Sequence, residues 1–114
     1  MGLKDQILGA KDRNDKAVVV KEWDDATVYV RTMTGTERDT FEGAILRDGK
    51  VSPDGLRAKL LVRCLADENG NRIFSDEEFE ALGSKSAKVI DKLFAIAQKV
   101  NGIGKEDVDD LTKN

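Results

Sequence analysis

Between Asp67 and Glu78 the chain reads DENGNRIFSDEE, and side-chain oxygens fall where a calcium-binding EF-hand loop needs them. Such a loop takes oxygen ligands at positions 1, 3, 5 and 9 and a bidentate glutamate at position 12. Asp67, Asn69, Asn71, Ser75 and Glu78 occupy those places, and Phe74 stands at the apolar eighth position. The sixth position must turn sharply and is normally glycine; here it is Arg72. Asp67 and Glu78 are the only carboxylates in the ligand set, and no second hand is present to pair with it. The same residues also read as an Asn-Gly turn followed by a capped helix, since Asp, Asn, Gly and Ser form turns without any metal. No metal is therefore expected, and a small calcium-binding protein is kept as the alternative.

Little else could carry chemistry. The chain has no histidine and one cysteine, Cys64. Disulfide frameworks, Cys/His zinc sites and histidine-dependent triads are thereby excluded. Cys64 lies in KLLVRCLA among apolar neighbours and reads as a buried, inert thiol in a cytosolic chain. Glu106, Asp107, Asp109 and Asp110 cluster without a partner that would shift their protonation, and read as a solvated face. No phosphate loop, nucleophile elbow or HExxH motif occurs. No catalytic residue and no cofactor are expected, and the chain is not read as an enzyme.

Composition limits the partners. The 114 residues suit one domain with one core. Charged residues make up 36% and apolar ones 39%, a balance typical of a folded, charge-rich chain. The net charge of −3 is spread among both signs with no basic stripe, which argues against nucleic acid. No apolar run approaches the roughly 18 residues of a membrane span, and the N-terminus is too polar for a signal peptide.

The elements that must position any site follow from periodicity. Ser84 to Gly102 carries Val89, Ile90, Leu93, Phe94, Ile96, Ala97 and Val100 on one helical arc. A long helix over about 85–101 is predicted, capped by Ser84 or Ser86 and stopped by Asn101-Gly102. Leu3 to Lys11 forms a short helix with Leu3, Ile7 and Leu8 inward. Ala17–Trp23 and Thr27–Met33 are β-rich and joined by Asp24-Asp25-Ala26, giving a hairpin over about 17–33. Its outer edge is open to strand addition by a partner or by a second copy. Thr34-Gly35-Thr36-Glu37 is a capping box opening a helix over about 35–47 with Phe41, Ala44 and Ile45 inward. Asp48 to Ser52 reads as a loop. Pro53 begins a central helix over about 54–66, with LLVRCL as a lesser strand reading. Ser75-Asp76-Glu77-Glu78 caps a helix over about 76–82. Residues 105–114 form a fraying tail with Val108 and Leu111 on one side. The fold class is α+β: one domain, an antiparallel β-hairpin packed against three or four α-helices.

These pieces in order resemble the tail assembly chaperones of long-tailed, siphovirus-type bacteriophages and prophages. The resemblance rests on Tyr29-Val30-Arg31 with Thr34-Gly35 and Glu37-Arg38, then Leu65-Ala66-Asp67-Glu68 with Gly70, Phe74-Ser75-Asp76, and finally Ala97-Gln98 with Asn101-Gly102. It spans nearly the whole chain. It implies a non-catalytic role: holding the helix-rich tape measure protein soluble until tail tube subunits polymerise around it. It further implies the cytoplasm of the bacterial host, absence from the finished virion, and in many such phages a frameshifted longer form that recruits the tube protein. A permanent head or tail component is the alternative within phage biology. Thr112-Lys113-Asn114 can be encoded ACA AAA AAC, which contains a slippery A AAA AAC. Candidate partner-binding residues are Trp23 and Tyr29 on the hairpin and Val108 and Leu111 on the tail.

Overall fold

The computed structural model describes residues 2–103. Five helices, a three-stranded sheet and a small hairpin follow one another among them. They are α1 (Leu3–Gly9), β1 (Asp15–Val20), β2 (Ala26–Arg31), α2 (Gly35–Ile45), β3 (Leu46–Arg47), β4 (Lys50–Val51), α3 (Leu56–Cys64), β5 (Leu65–Ala66), α4 (Phe79–Gly83) and α5 (Ala87–Val100). The fold is α+β in a single domain.

β1 and β2 pair antiparallel, with Val18 opposite Val28 and Ala17 opposite Tyr29. The strands end earlier than their β-rich composition predicts. Lys21–Trp23 closes into a 3-10 turn, and Asp24 and Asp25 take left-handed φ angles of 55° and 58°. Asp tolerates that region because its short polar side chain can bond locally. The hairpin is also not alone. β5 pairs antiparallel with β2, Leu65 opposite Val30, so β2 is central and the outer edge of β1 is unpaired among the described residues.

That third strand corrects the helix expected over 54–66. Pro53 to Gly55 form a turn, with Leu56 N–H donating to the Pro53 carbonyl at 3.2 Å. The helix begins at Leu56 and stops at Cys64, and Leu65 extends to join β2. The lesser strand reading of LLVRCL thus describes its last step. Similarly, the helix expected to reach Arg47 ends at Ile45. Leu46–Arg47 and Lys50–Val51 pair across Asp48-Gly49, both at positive φ (53° and 77°). An Asp-Gly pair with two left-handed residues is the turn whose twist suits a two-residue hairpin.

The core lies between the helices and one sheet face. Val18, Val20, Val28 and Val30 meet Leu60, Leu61, Val62 and Leu65, with Val89, Ile90, Leu93 and Ala97 of α5 closing it. α3 is the central helix, packed on α2, α4 and α5. Even its Lys59 and Arg63 are buried. The Lys59 ammonium donates to the Ala44 carbonyl at 3.1 Å, at the C-terminal end of α2 where a cation meets the negative end of the helix dipole. It also lies 5.0 Å from the Phe79 ring centroid. Ser86 precedes α5 but makes no side-chain cap bond, contrary to expectation. At the other end Gly102 turns left-handed (φ 64°) and Ile103 N–H reaches the Gln98 carbonyl at 2.8 Å.

Candidate partner-binding surfaces

α1 is the element whose placement departs most from periodicity. Leu3, Ile7 and Leu8 were expected inward, yet they are 69%, 61% and 74% exposed, and no residue of α1 is buried. The amphipathic spacing forms the helix, but no described element covers its apolar side. A helix of this length is marginal in water without packing. This surface was missed from sequence, because periodicity reports that an apolar face exists and not what covers it.

Trp23, at the end of the 3-10 turn, is half-buried against the core. With Phe74, Ala81, Leu82 and Lys85 it lines an apolar hollow of about 250 Å³. Tyr29 is also half-buried, but alternation places it on the sheet face opposite Val28 and Val30, beside Ala17 and Ala66 of the neighbouring strands. The two hairpin aromatics therefore do not share a surface. Val108 and Leu111 lie outside the described residues. Val19, 53% exposed, stands on the unpaired edge strand, and Ile73 is 48% exposed near the hollow's Phe74.

On Tyr29's side of β2, Arg31 is only 7% exposed. Its guanidinium donates to Glu37 at 2.6 Å, and Arg72 lies 3.7 Å from the same carboxylate. Glu37 also completes the capping box: its Oε1 accepts from Thr34 N–H at 2.9 Å, while Thr34 Oγ1 accepts from Glu37 N–H at 3.1 Å. Burial pushes the Glu37 pKa up, but the Arg31 and Thr34 hydrogen bonds and the charges of Arg31 and Arg72 outweigh it. The result lies below the ordinary 4.5. Arg72 continues the network to Asp76 at 2.6 Å, and Asp76 also faces the buried Arg63 at 3.4 Å.

The oxygens of the 67–78 loop are held by the chain itself. Asp67 Oδ1 accepts from the N–H groups of Asn69 and Asn71 at 2.9 and 3.0 Å. Glu78 Oε1 accepts from Ser75 N–H at 2.8 Å. Arg72 turns its guanidinium inward to the Val62 carbonyl at 2.9 Å, putting a cation beside the loop. Among the described residues no three His, Cys, Asp or Glu side chains gather as a metal site. Cys64 is fully buried, and desolvation pushes its thiol up to about 12. Among the described residues no helix is long and apolar enough to cross a membrane.

The surfaces available are thus apolar patches and an open strand edge, which serve binding and not bond-making. Among curated proteins none matches this sequence. A solved structure of the bacteriophage HK97 tail assembly chaperone has a similar fold, with a TM-score of 0.64 at 22% identity. The match covers 85% of this chain and 91% of that one. The family model for phage tail assembly chaperones matches residues 3–114. The chain belongs to the phage tail assembly chaperone family.

Proposed function

We propose that this chain binds the phage tape measure protein and keeps it soluble while the tail tube polymerises around it. The carrying observation is the α1 face, where Leu3, Ile7 and Leu8 stand uncovered beside a charged remainder. Amphipathic helices recognise one another through such i, i+4 anchors, and a helix-rich client offers many partners. The hollow at Trp23 and Leu82 is a second apolar seat for a client side chain. No step of this role needs catalysis or a cofactor. The work would take place in the host cytoplasm, with the chaperone left out of the mature virion. A frameshifted longer form would carry the tail tube protein, and the free edge of β1 is where a second copy could add a strand.

Coexpression tests the reading directly. The tape measure protein encoded beside this chain is expected in the soluble fraction only when the chain is present, and the two should copurify. Leu8→Asp should abolish copurification while leaving the circular dichroism spectrum of the free chain nearly unchanged, because Leu8 packs on nothing. A tape measure protein equally soluble without the chain would sink the proposal.

A further inference from the structure

The turn leading into β1 and the turn after β5 enclose a cleft of about 140 Å³, lined by Arg13, Asn14, Asp15, Arg31, Thr32 and Gly70. Arg31 is nearly fully buried, and its Nε is a buried polar atom without a hydrogen-bond partner. A guanidinium has five N–H donors and no acceptor, so it is held only where acceptors surround it. Here cations prevail: Arg13 and Arg31 line the cleft, with Arg72 against the same Glu37 that Arg31 holds. Asp15 is the only acid in the lining, and Glu37 is shared between two arginines.

The chain supplies a matching charge close by. Asn101 Nδ2 donates to the backbone carbonyl of Arg31 at 3.3 Å, which fixes the end of α5 beside this strand. The described fold ends two residues later at Ile103, and Glu106, Asp107, Asp109 and Asp110 follow shortly after. Three residues of extended chain span up to about 10 Å, so Glu106 is within reach of the Arg31 region. An acidic run tethered beside a cationic cleft also has a high effective concentration there.

We propose that the acidic segment 106–110 docks in cis on the Arg13–Arg31 cleft and supplies the counter-charge the cleft lacks. The inference stands apart from tape measure binding. Its consequence is that anything attached beyond residue 110 would be held at the β1 end of the domain, and that an acidic partner would have to displace the segment.

A spin label at Thr112→Cys on the full chain tests this. Cys64 is fully buried with its thiol pushed up to about 12, so the label goes to position 112. The expected result is selective NMR broadening of the Asn14, Asp15, Thr32 and Gly70 amides, several-fold above that of Glu77 or Glu80. It should be unchanged on tenfold dilution and lost in about 0.5 M salt, where screening acts within a few ångströms. Changing the four acids to Gln and Asn on the labelled chain should abolish it. Broadening spread evenly over the surface, or indifferent to those substitutions, would overturn the proposal. Broadening that fades on dilution would place the segment on a second copy, which also overturns docking in cis.

Discussion

Asn101 Oδ1 accepts the backbone N–H of Met33 at 2.7 Å, joining positions 68 residues apart. The same side chain donates to the Arg31 carbonyl at 3.3 Å and the Ala97 carbonyl at 2.9 Å. One amide therefore ties the end of β2, just before the N-cap of α2, to the last turn of α5. Removing it strands the Met33 N–H and the Arg31 carbonyl in a partly buried place. Asn101→Ala should cost about 2 kcal/mol and lower the midpoint of a circular dichroism melt by about 8 °C. Asn101→Asp keeps the acceptor but loses both donations and should fall between. A melt of Asn101→Ala within a degree of the parent would show that the clamp is replaced by water.

Glu37 predicts an acid limb. Its folded pKa lies below the ordinary 4.5, so its stabilisation is fully present above about pH 4.5 and is lost as pH falls through the folded value. Urea midpoints should therefore drop between pH 6 and pH 3 more steeply in the parent than in Glu37→Gln. At pH 7 that substitution should cost about 1–2 kcal/mol, a discounted figure because the carboxylate keeps 18% of its side-chain surface in water. Parallel pH curves for the two proteins would mean the pairing contributes nothing.

Two glycines should respond with opposite sign. Gly43 lies inside α2 with nothing within 4 Å of an added Cβ, so Gly43→Ala should stabilise by about 0.5–1 kcal/mol. Gly55 sits at φ 65° with Phe79 only 3.1 Å from an added Cβ, so Gly55→Ala should destabilise by about 1–2 kcal/mol. Chemical denaturation measures both, and equal signs would contradict the packing described at one of them.

Calcium should do nothing. Asp67 and Glu78 already accept backbone N–H groups, and the Arg72 guanidinium stands beside the loop. Titration to about 5 mM should leave Trp23 fluorescence and the Asn69–Ser75 amide shifts unchanged, since even weak extracellular modules saturate near 10⁻³ M. A saturable shift at those amides would restore the calcium reading.

What the sequence makes legible is what short-range chemistry determines. Thr34 and Glu37 read as a capping box because three-residue spacing alone brings oxygen to N–H, and both bonds form. The buried arc of Val89, Ile90, Leu93 and Ala97 follows from helical period in the same way. Leu65–Ala66 was hidden because a helix apolar on every side carries no mark of where it stops. Its end is determined by the free edge of β2, a long-range partner. The Asp48-Gly49 turn was readable in principle, but its two-residue strands are too short to show alternation. Of the candidate residues, Trp23 does line an apolar hollow, whereas α1 escaped notice because exposure is a property of the whole fold.

The position of α5 bears on how the chain is made. This helix packs against α3, β1 and β2, and its Leu93 and Ala97 are fully buried. It is also the last core element to leave the ribosome. Until residue 101 has emerged, the valines of the sheet and the leucines of α3 have no lid, and Met33 has no Asn101. A nascent chain is therefore committed to finish folding late, in one cooperative step close to release. Nonsense mutations between Leu65 and Ala87 should yield sticky, unfolded fragments, not a smaller domain.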